Sequence, residues 1–258
     1  MPLLALPAFN DNYIWALQAS DGTALVVDPG QARPVLEAAE AGLRPVAILL
    51  THHHADHVGG VAELLERWPG LPVHAPHDPR IAFATHRVGH GDRVVAGDWT
   101  LEVIAVPGHT LSHVAFHLAD GQPPLLFCGD TLFSLGCGRM FEGDAPQMLA
   151  SLDRLAALPG GTRVCCGHEY TLSNAAFARV VDPDNPALLR RLKEAQSMRA
   201  ARLPTLPALL SDECAANPFL RTRAPAIVEA VRGRLGRAPG SAADVFAELR
   251  RWKDGFVA

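Results

Sequence analysis

PVAILLTHHHADH, residues 45–57, decides how the rest of the chain is read. Pro45 to Thr51 is a short apolar run of strand length, and it reads as a buried β-strand. It leads directly into His52, His53, His54, Asp56 and His57. In extended backbone, residues i and i+2 face the same way. His52 and His54 therefore point together and His53 points away. Asp56 and His57 fall where the chain turns into a predicted helix, VGGVAELLERW (58–68), with Val61, Leu64, Leu65 and Trp68 on one face.

The same pattern, an apolar strand ending on a metal-ligand residue, recurs along the first two-thirds of the chain. LEVIAVPG runs into His109, PLLFCG into Asp130, and TRVCCG into His168. Such loops gather at one edge of a sheet, where a rigid scaffold holds binding residues. His52, His54 and His109 can complete one three-nitrogen site. Asp56 and His57 can begin a second, closed by His168, and the two oxygens of Asp130 can bridge both. Imidazole and carboxylate donors suit zinc, iron or manganese.

Further strands are predicted at 13–19 and 23–30, over the hairpin 92–110, and at 113–120, 124–130 and 162–168. Helices are predicted at 32–43 and 144–158. After Tyr170 strand signals vanish. Helical patterns at 174–181, 185–203 and 241–256 alternate with Pro204, Pro207, Pro218 and Pro225. The expected organisation is α/β, with a sheet domain over 1–170 followed by a small α-helical domain over 171–258.

Composition bounds the function. Hydrophobic residues make up 48% of 258, enough for a sizeable core. No apolar run approaches the roughly 18 residues of a membrane span. The apolar start has no basic residue before Arg33, so it lacks the charged opening of a signal peptide. A cytoplasmic protein is expected, with no membrane partner. The five cysteines include no C-x-x-C, which argues against a disulfide framework and a thiolate zinc cluster. The net charge of −4 divides into −10 over residues 1–184 and +6 over 185–258. An acidic front suits cations and a basic tail suits an anionic ligand. The tail lacks a dense basic run, so a nucleic-acid partner is not expected.

THHHADH (51–57), PGHT (107–110), GDT (129–131) and GHEY (167–170) resemble the motifs of the metallo-β-lactamase superfamily. DNYIWAL (11–17), GDTLFSLGCGRMFEG (129–143), GHEYTLSNAAFA (167–178), LPTLPALLSDECAANPFLR (203–221) and LRRWKDGF (249–256) narrow the resemblance to glyoxalase II, the hydroxyacylglutathione hydrolases. It spans nearly the whole chain, including the helical part that most relatives lack. It implies an αββα sandwich of the metallo-β-lactamase type, followed by a helical C-terminal domain. It also implies two divalent ions, zinc first, with iron or manganese as alternatives. His52, His54 and His109 would hold one ion, Asp56, His57 and His168 the other, and Asp130 both. Asp56 and Asp130 would serve catalysis.

The substrate implied is a glutathione thioester, chiefly S-lactoylglutathione, cleaved to D-lactate and glutathione by a metal-bridged hydroxide, as the second step of methylglyoxal detoxification. Glutathione contacts carry over to Arg139, Tyr170, Arg250 and Lys253. Phe141 stands where the family often has Tyr, so a phenol donor is missing there. A monomer is expected. Cys137 invites a nucleophile reading, but a metal hydroxide makes it unnecessary and no adjacent base is evident. A mono-iron persulfide dioxygenase and a metal-dependent nuclease are the alternatives on the same scaffold. The full second ligand set speaks against a single-metal centre.

Overall fold

The computed structural model describes residues 2–257. The chain folds into two compact units. Unit 1 comprises the chain up to Ala105, Ser112–Gly129 and Cys165–Glu169. Unit 2 comprises Val106–Leu111, Asp130–Val164 and everything from Tyr170.

Unit 1 opens with β1 (Leu3–Ala8), β2 (Asn12–Gln18), β3 (Thr23–Val27), α1 (Arg33–Glu40) and β4 (Arg44–Leu49). These are followed by α2 (Ala55–Val58), α3 (Val61–Arg67), β5 (Val73–Pro76) and β6 (His86–Val88). The six strands form one sheet in sequence order, antiparallel from β1 to β3 and parallel from β3 to β6. Both faces are buried, which is why β2 and β3 read as continuous apolar runs rather than as alternation. Ile14, Ala16, Ala24, Val26 and Ile48 pack on one side with Val35 of α1 and Leu64 of α3. Trp15, on the opposite side, donates its Nε1–H to the Cys166 carbonyl at 2.9 Å.

The second sheet of unit 1 is built from β7 (Arg93–Ala96), β8 (Trp99–Ala105), β9 (Val114–Leu118) and β10 (Leu125–Gly129), all antiparallel neighbours. Unit 2 carries the small hairpin of β11 (Leu132–Phe133) and β12 (Gly136–Cys137), then α4 (Ala145–Ala156). A capping box starts α4: Asp144 accepts from the Gln147 backbone and Gln147 reaches back. β13 (Arg163–Cys166) begins in unit 2 and ends in unit 1. The helices α5 (Thr171–Val181) and α6 (Pro186–Ala200), the short β14 (Ala208–Leu209), and α7 (Leu210–Ala216), α8 (Pro225–Leu235) and α9 (Ala242–Asp254) complete unit 2. Within it, Arg163 and Val164 pair with β14.

Three local expectations change. The helix expected over 58–68 starts only at Val61, and Val58 ends a separate short helix, α2, with Gly59–Gly60 between them. The Gly60 N–H is taken by the Pro29 carbonyl at 2.9 Å, and a Cβ there would stand 2.4 Å from the backbone of Gln31 and Ala32, so glycine is required at this crossing. Strands β1, β5 and β6 lack an alternating signal and form because neighbouring strands offer them hydrogen bonds. Two helices, α7 and α8, occupy the proline-punctuated stretch. Pro225 sits in the first turn of α8, where its missing N–H costs nothing. No helix among the described residues is long and apolar enough to cross a membrane. The five cysteines are free, and all but Cys214 are buried.

Candidate functional site

Parallel pairing of β3 and β4 sets Asp28 beside Thr51 at neighbouring strand ends. Asp28, at φ +52°, accepts from the Thr51 amide at 2.7 Å and from the Thr51 hydroxyl at 2.6 Å. This fixes the direction in which the histidine run leaves the sheet. His52 is buried, and its Nε2 lies 3.1 Å from Nδ1 of His54. His53 is turned away, with its Nδ1 3.4 Å from Asp78. The alternation expected of extended backbone holds through these three positions.

His54 is the N-cap of α2, and the helical turn that follows presents Asp56 and His57. Asp56, His57 and His168 offer ligand atoms that all lie within 4.8 Å of one another. Asp56 Oδ2 is 3.5 Å from Nε2 of both His57 and His168. The other ring nitrogen of each histidine is held by a carboxylate. His57 Nδ1 lies 3.0 Å from Asp28, and His168 Nδ1 lies 2.8 Å from Asp11. An Nδ1–H donated to a carboxylate leaves the Nε2 lone pair as the free donor and raises its basicity. Asn12 donates to Asp56 Oδ2 at 3.0 Å and orients that carboxylate. Gly30 is required behind it, since a Cβ there would lie 1.8 Å from the Asp56 carbonyl. Asp28, His52 and His57 also cluster, but Asp28 is engaged with Thr51 and His57, as an orienting group would be.

In unit 2, His109 and Asp130 meet, with Nε2 to Oδ2 at 3.5 Å. His109 Nδ1 donates to the Arg139 carbonyl at 2.8 Å, so the same tautomer logic applies. Both residues line a cavity of about 410 Å³. Arg139, Phe141, Tyr170, Arg250 and Lys253 line it too. Arg250 is buried and donates to the Cys137 carbonyl at 2.8 Å and to Asp254 at 2.9 and 3.1 Å. Lys253 donates to the Ser173 carbonyl at 3.1 Å. Burial, then repulsion from Arg250 and Arg139, holds its ammonium below the usual lysine range. Arg139 stands 3.5 Å from Asp254. Phe141 is exposed and edge-on to His109, and Tyr170 is edge-on to Phe133. Cys137 is buried, and burial pushes its thiol up to about 11.

The donors fit divalent transition-type cations. In unit 1 the Nε2 atoms of His57 and His168 face an Asp56 oxygen, in unit 2 that of His109 faces Asp130, and the distal nitrogen of each ring is anchored by an acceptor. The sequence reading missed Asp11 and Asn12. Asp11 sits in the short turn between β1 and β2, and no local pattern marks it as a partner of His168.

A family model described as the metallo-beta-lactamase superfamily matches residues 9–168. A second, described as the hydroxyacylglutathione hydrolase C-terminus, matches residues 169–256. The chain is 64% identical over 259 aligned residues to the hydroxyacylglutathione hydrolase of Xanthomonas axonopodis pv. citri (strain 306), covering 100% of both chains. It is 62% identical to the hydroxyacylglutathione hydrolase of Xylella fastidiosa (strain M23), covering 99% of this chain and 98% of that one. Among solved structures it resembles ETHE1 from Myxococcus xanthus, with a TM-score of 0.58 and 28% identity over 84% of this chain and 99% of the other. With an α/β fold of the metallo-β-lactamase type and a C-terminal helical region matched by its own model, the chain belongs to the hydroxyacylglutathione hydrolases, glyoxalase II, of that superfamily.

Proposed function

We propose that this protein hydrolyses S-(2-hydroxyacyl)glutathione thioesters, with S-lactoylglutathione as its principal substrate and D-lactate and glutathione as products. In the cell this is the second step of methylglyoxal detoxification. The observation that supports it most is the 410 Å³ cavity, which brings His109 and Asp130 together with three cationic side chains, Arg139, Arg250 and Lys253. A thioester with an anionic carrier needs both chemistries within one substrate length.

His52, His54 and His109 are assigned to one ion, Asp56, His57 and His168 to a second, and Asp130 to both. Zinc is the expected metal. Ions held there would polarise a carbonyl oxygen and lower the pKa of water towards about 7. The residues of the chain then have distinct tasks. Asp11, Asp28 and the Arg139 carbonyl fix three imidazoles in the tautomer that leaves Nε2 free. Asp56 and Asp130 supply carboxylate oxygens at the reacting end. Arg250, Lys253 and Arg139 hold the glutathione carboxylates, so that remote binding energy places the thioester carbonyl. Cys137 takes no part as nucleophile, because a thiol at about 11 is protonated at neutral pH.

Residues 1–170 are proposed as the catalytic domain and 171–258 as the substrate-binding domain. The protein is proposed to act as a cytoplasmic monomer without nucleic-acid or membrane partners. Hydrolysis of S-lactoylglutathione, followed at the thioester absorbance with metal analysis of the same sample, is the direct test. Turnover that tracks metal content is expected. Metal-replete protein that leaves the thioester intact would overturn the assignment.

A further inference from the structure

Glu213 of α7 and Asn217, the C-cap of the same helix, are both buried from solvent. Glu213 accepts from the Leu135 amide at 2.7 Å, from the Ser134 hydroxyl at 2.7 Å and from the Asn217 side chain at 3.2 Å. Asn217 Nδ2 also donates to the carbonyls of Phe133 and Gly136, at 3.0 and 2.9 Å. Its Oδ1 accepts from the Phe219 amide at 3.0 Å, which fixes the orientation of the carboxamide. Asn174 Nδ2 donates to the Ser134 carbonyl, and Arg191 reaches the Ser134 hydroxyl. Every residue from Phe133 to Gly136 is therefore gripped by a buried polar side chain.

The gripped segment is the turn between β11 and β12. Leu135 holds φ +59° there, a backbone conformation that bulky side chains rarely adopt. The hydrogen bond that its N–H donates to Glu213 keeps it in place. The next residue, Cys137, presents the carbonyl that accepts from Arg250. Two residues further, Arg139 enters the cavity wall. A buried carboxylate and carboxamide are costly places to put polarity, and an apolar contact would hold the helix as well. What a fully satisfied polar network adds is a fixed backbone direction.

We propose that Glu213 and Asn217 are positioning residues for the thioester reaction. From α7 and its C-cap they fix the β11–β12 turn so that the Cys137 carbonyl seats Arg250 and Arg139 faces the glutathione moiety. The inference rests on the functional reading above. It assigns these two residues to binding of the carrier rather than to the chemical step. Burial raises the Glu213 carboxyl above its usual range, opposed by the Leu135 amide, the Ser134 hydroxyl, Arg191 and the Asn217 side chain.

Glu213→Gln is the decisive variant. Its amide is isosteric, but it turns one acceptor into a donor facing the Leu135 N–H or the Ser134 hydroxyl. The expected result is a KM for S-lactoylglutathione raised about tenfold, the weight of one displaced charged contact, with kcat held within about twofold. Hydrolysis of S-lactoyl-N-acetylcysteamine, which lacks the glutathione body, stays at the wild-type level. Amide exchange at Leu135 accelerates. An unchanged KM in the folded variant overturns the inference. So does an equal loss on both thioesters at constant KM, which is what partial unfolding produces. If Glu213→Gln does not fold, Ser134→Ala removes a single hydroxyl of the network, and the same two-substrate comparison decides. Wild-type protein inert towards S-lactoylglutathione would overturn the functional reading itself. Active wild type with an unmoved KM in the variant overturns only the positioning role.

Discussion

The Nδ1 nitrogen of His168 lies 2.8 Å from Asp11 Oδ1, across 157 positions of sequence. One residue belongs to a hairpin turn near the start of the chain, the other follows β13. Their pairing sets which nitrogen of His168 faces Asp56. An orienting carboxylate of this kind typically governs metal affinity by ten- to a hundredfold. Asp11→Ala should therefore weaken metal binding by roughly that factor while leaving the fold intact. Competition with a chromogenic chelator measures this. Affinity equal to wild type would show that Asp11 does not set the tautomer.

Gly138→Ala tests the close approach behind Asp130. A Cβ at this position would lie 1.9 Å from the Asp130 carbonyl and 3.2 Å from His109 Nδ1. The nearer atom is backbone, so no rotamer change relieves the clash. Overpacking of this sort costs about 1–3 kcal/mol. Urea unfolding should register that loss, and metal content should fall with it because both displaced residues are proposed ligands. Wild-type stability together with wild-type metal content would contradict the geometry.

Cys137 carries a pH prediction. Its thiol is raised from 9.0 to about 11 by burial, against the opposing pull of Arg250. The folded state thus binds the proton more tightly than the unfolded chain. The stabilisation is complete below pH 9 and is lost as pH rises through about 11. Replacing the residue by Ala should flatten the fall of Tm between these limits, while thioester turnover at pH 7 persists. A steep fall unchanged in Cys137→Ala would assign the titration elsewhere, and an acyl group trapped on Cys137 would restore it as a nucleophile.

Lys253 is expected to bind an anion from a partly desolvated position. Its pKa is lowered first by burial and then by Arg250 and Arg139, with Asp254 opposing. Lys253→Ala should raise KM for the glutathione thioester several-fold with little change in kcat, since uniform binding is lost. In the wild type, KM should begin to climb with pH below the range of an ordinary lysine, and this climb should vanish in the variant. A KM indifferent to the substitution would remove Lys253 from the glutathione contacts.

The sequence by itself determined the kind of chemistry available. An apolar strand running into alternating histidines dictates that His52 and His54 share a direction and that His53 does not. This is a property of extended backbone and needs no long-range contact. The helices with clear caps and apolar faces, such as α4 and α9, are legible for the same local reason. Tertiary structure decided everything that depends on partners far apart in sequence. The strands β1, β5 and β6 exist because adjacent strands complete their hydrogen bonds. Asp11 became an orienting group only when the fold brought it beside His168. The late start of α3 goes with Gly60, whose N–H is taken by the distant Pro29 carbonyl and whose missing Cβ admits the backbone of Gln31 and Ala32. Local periodicity records which face of an element is apolar. It carries no record of which distant carboxylate will stand behind a histidine, because the closure of the fold sets that distance.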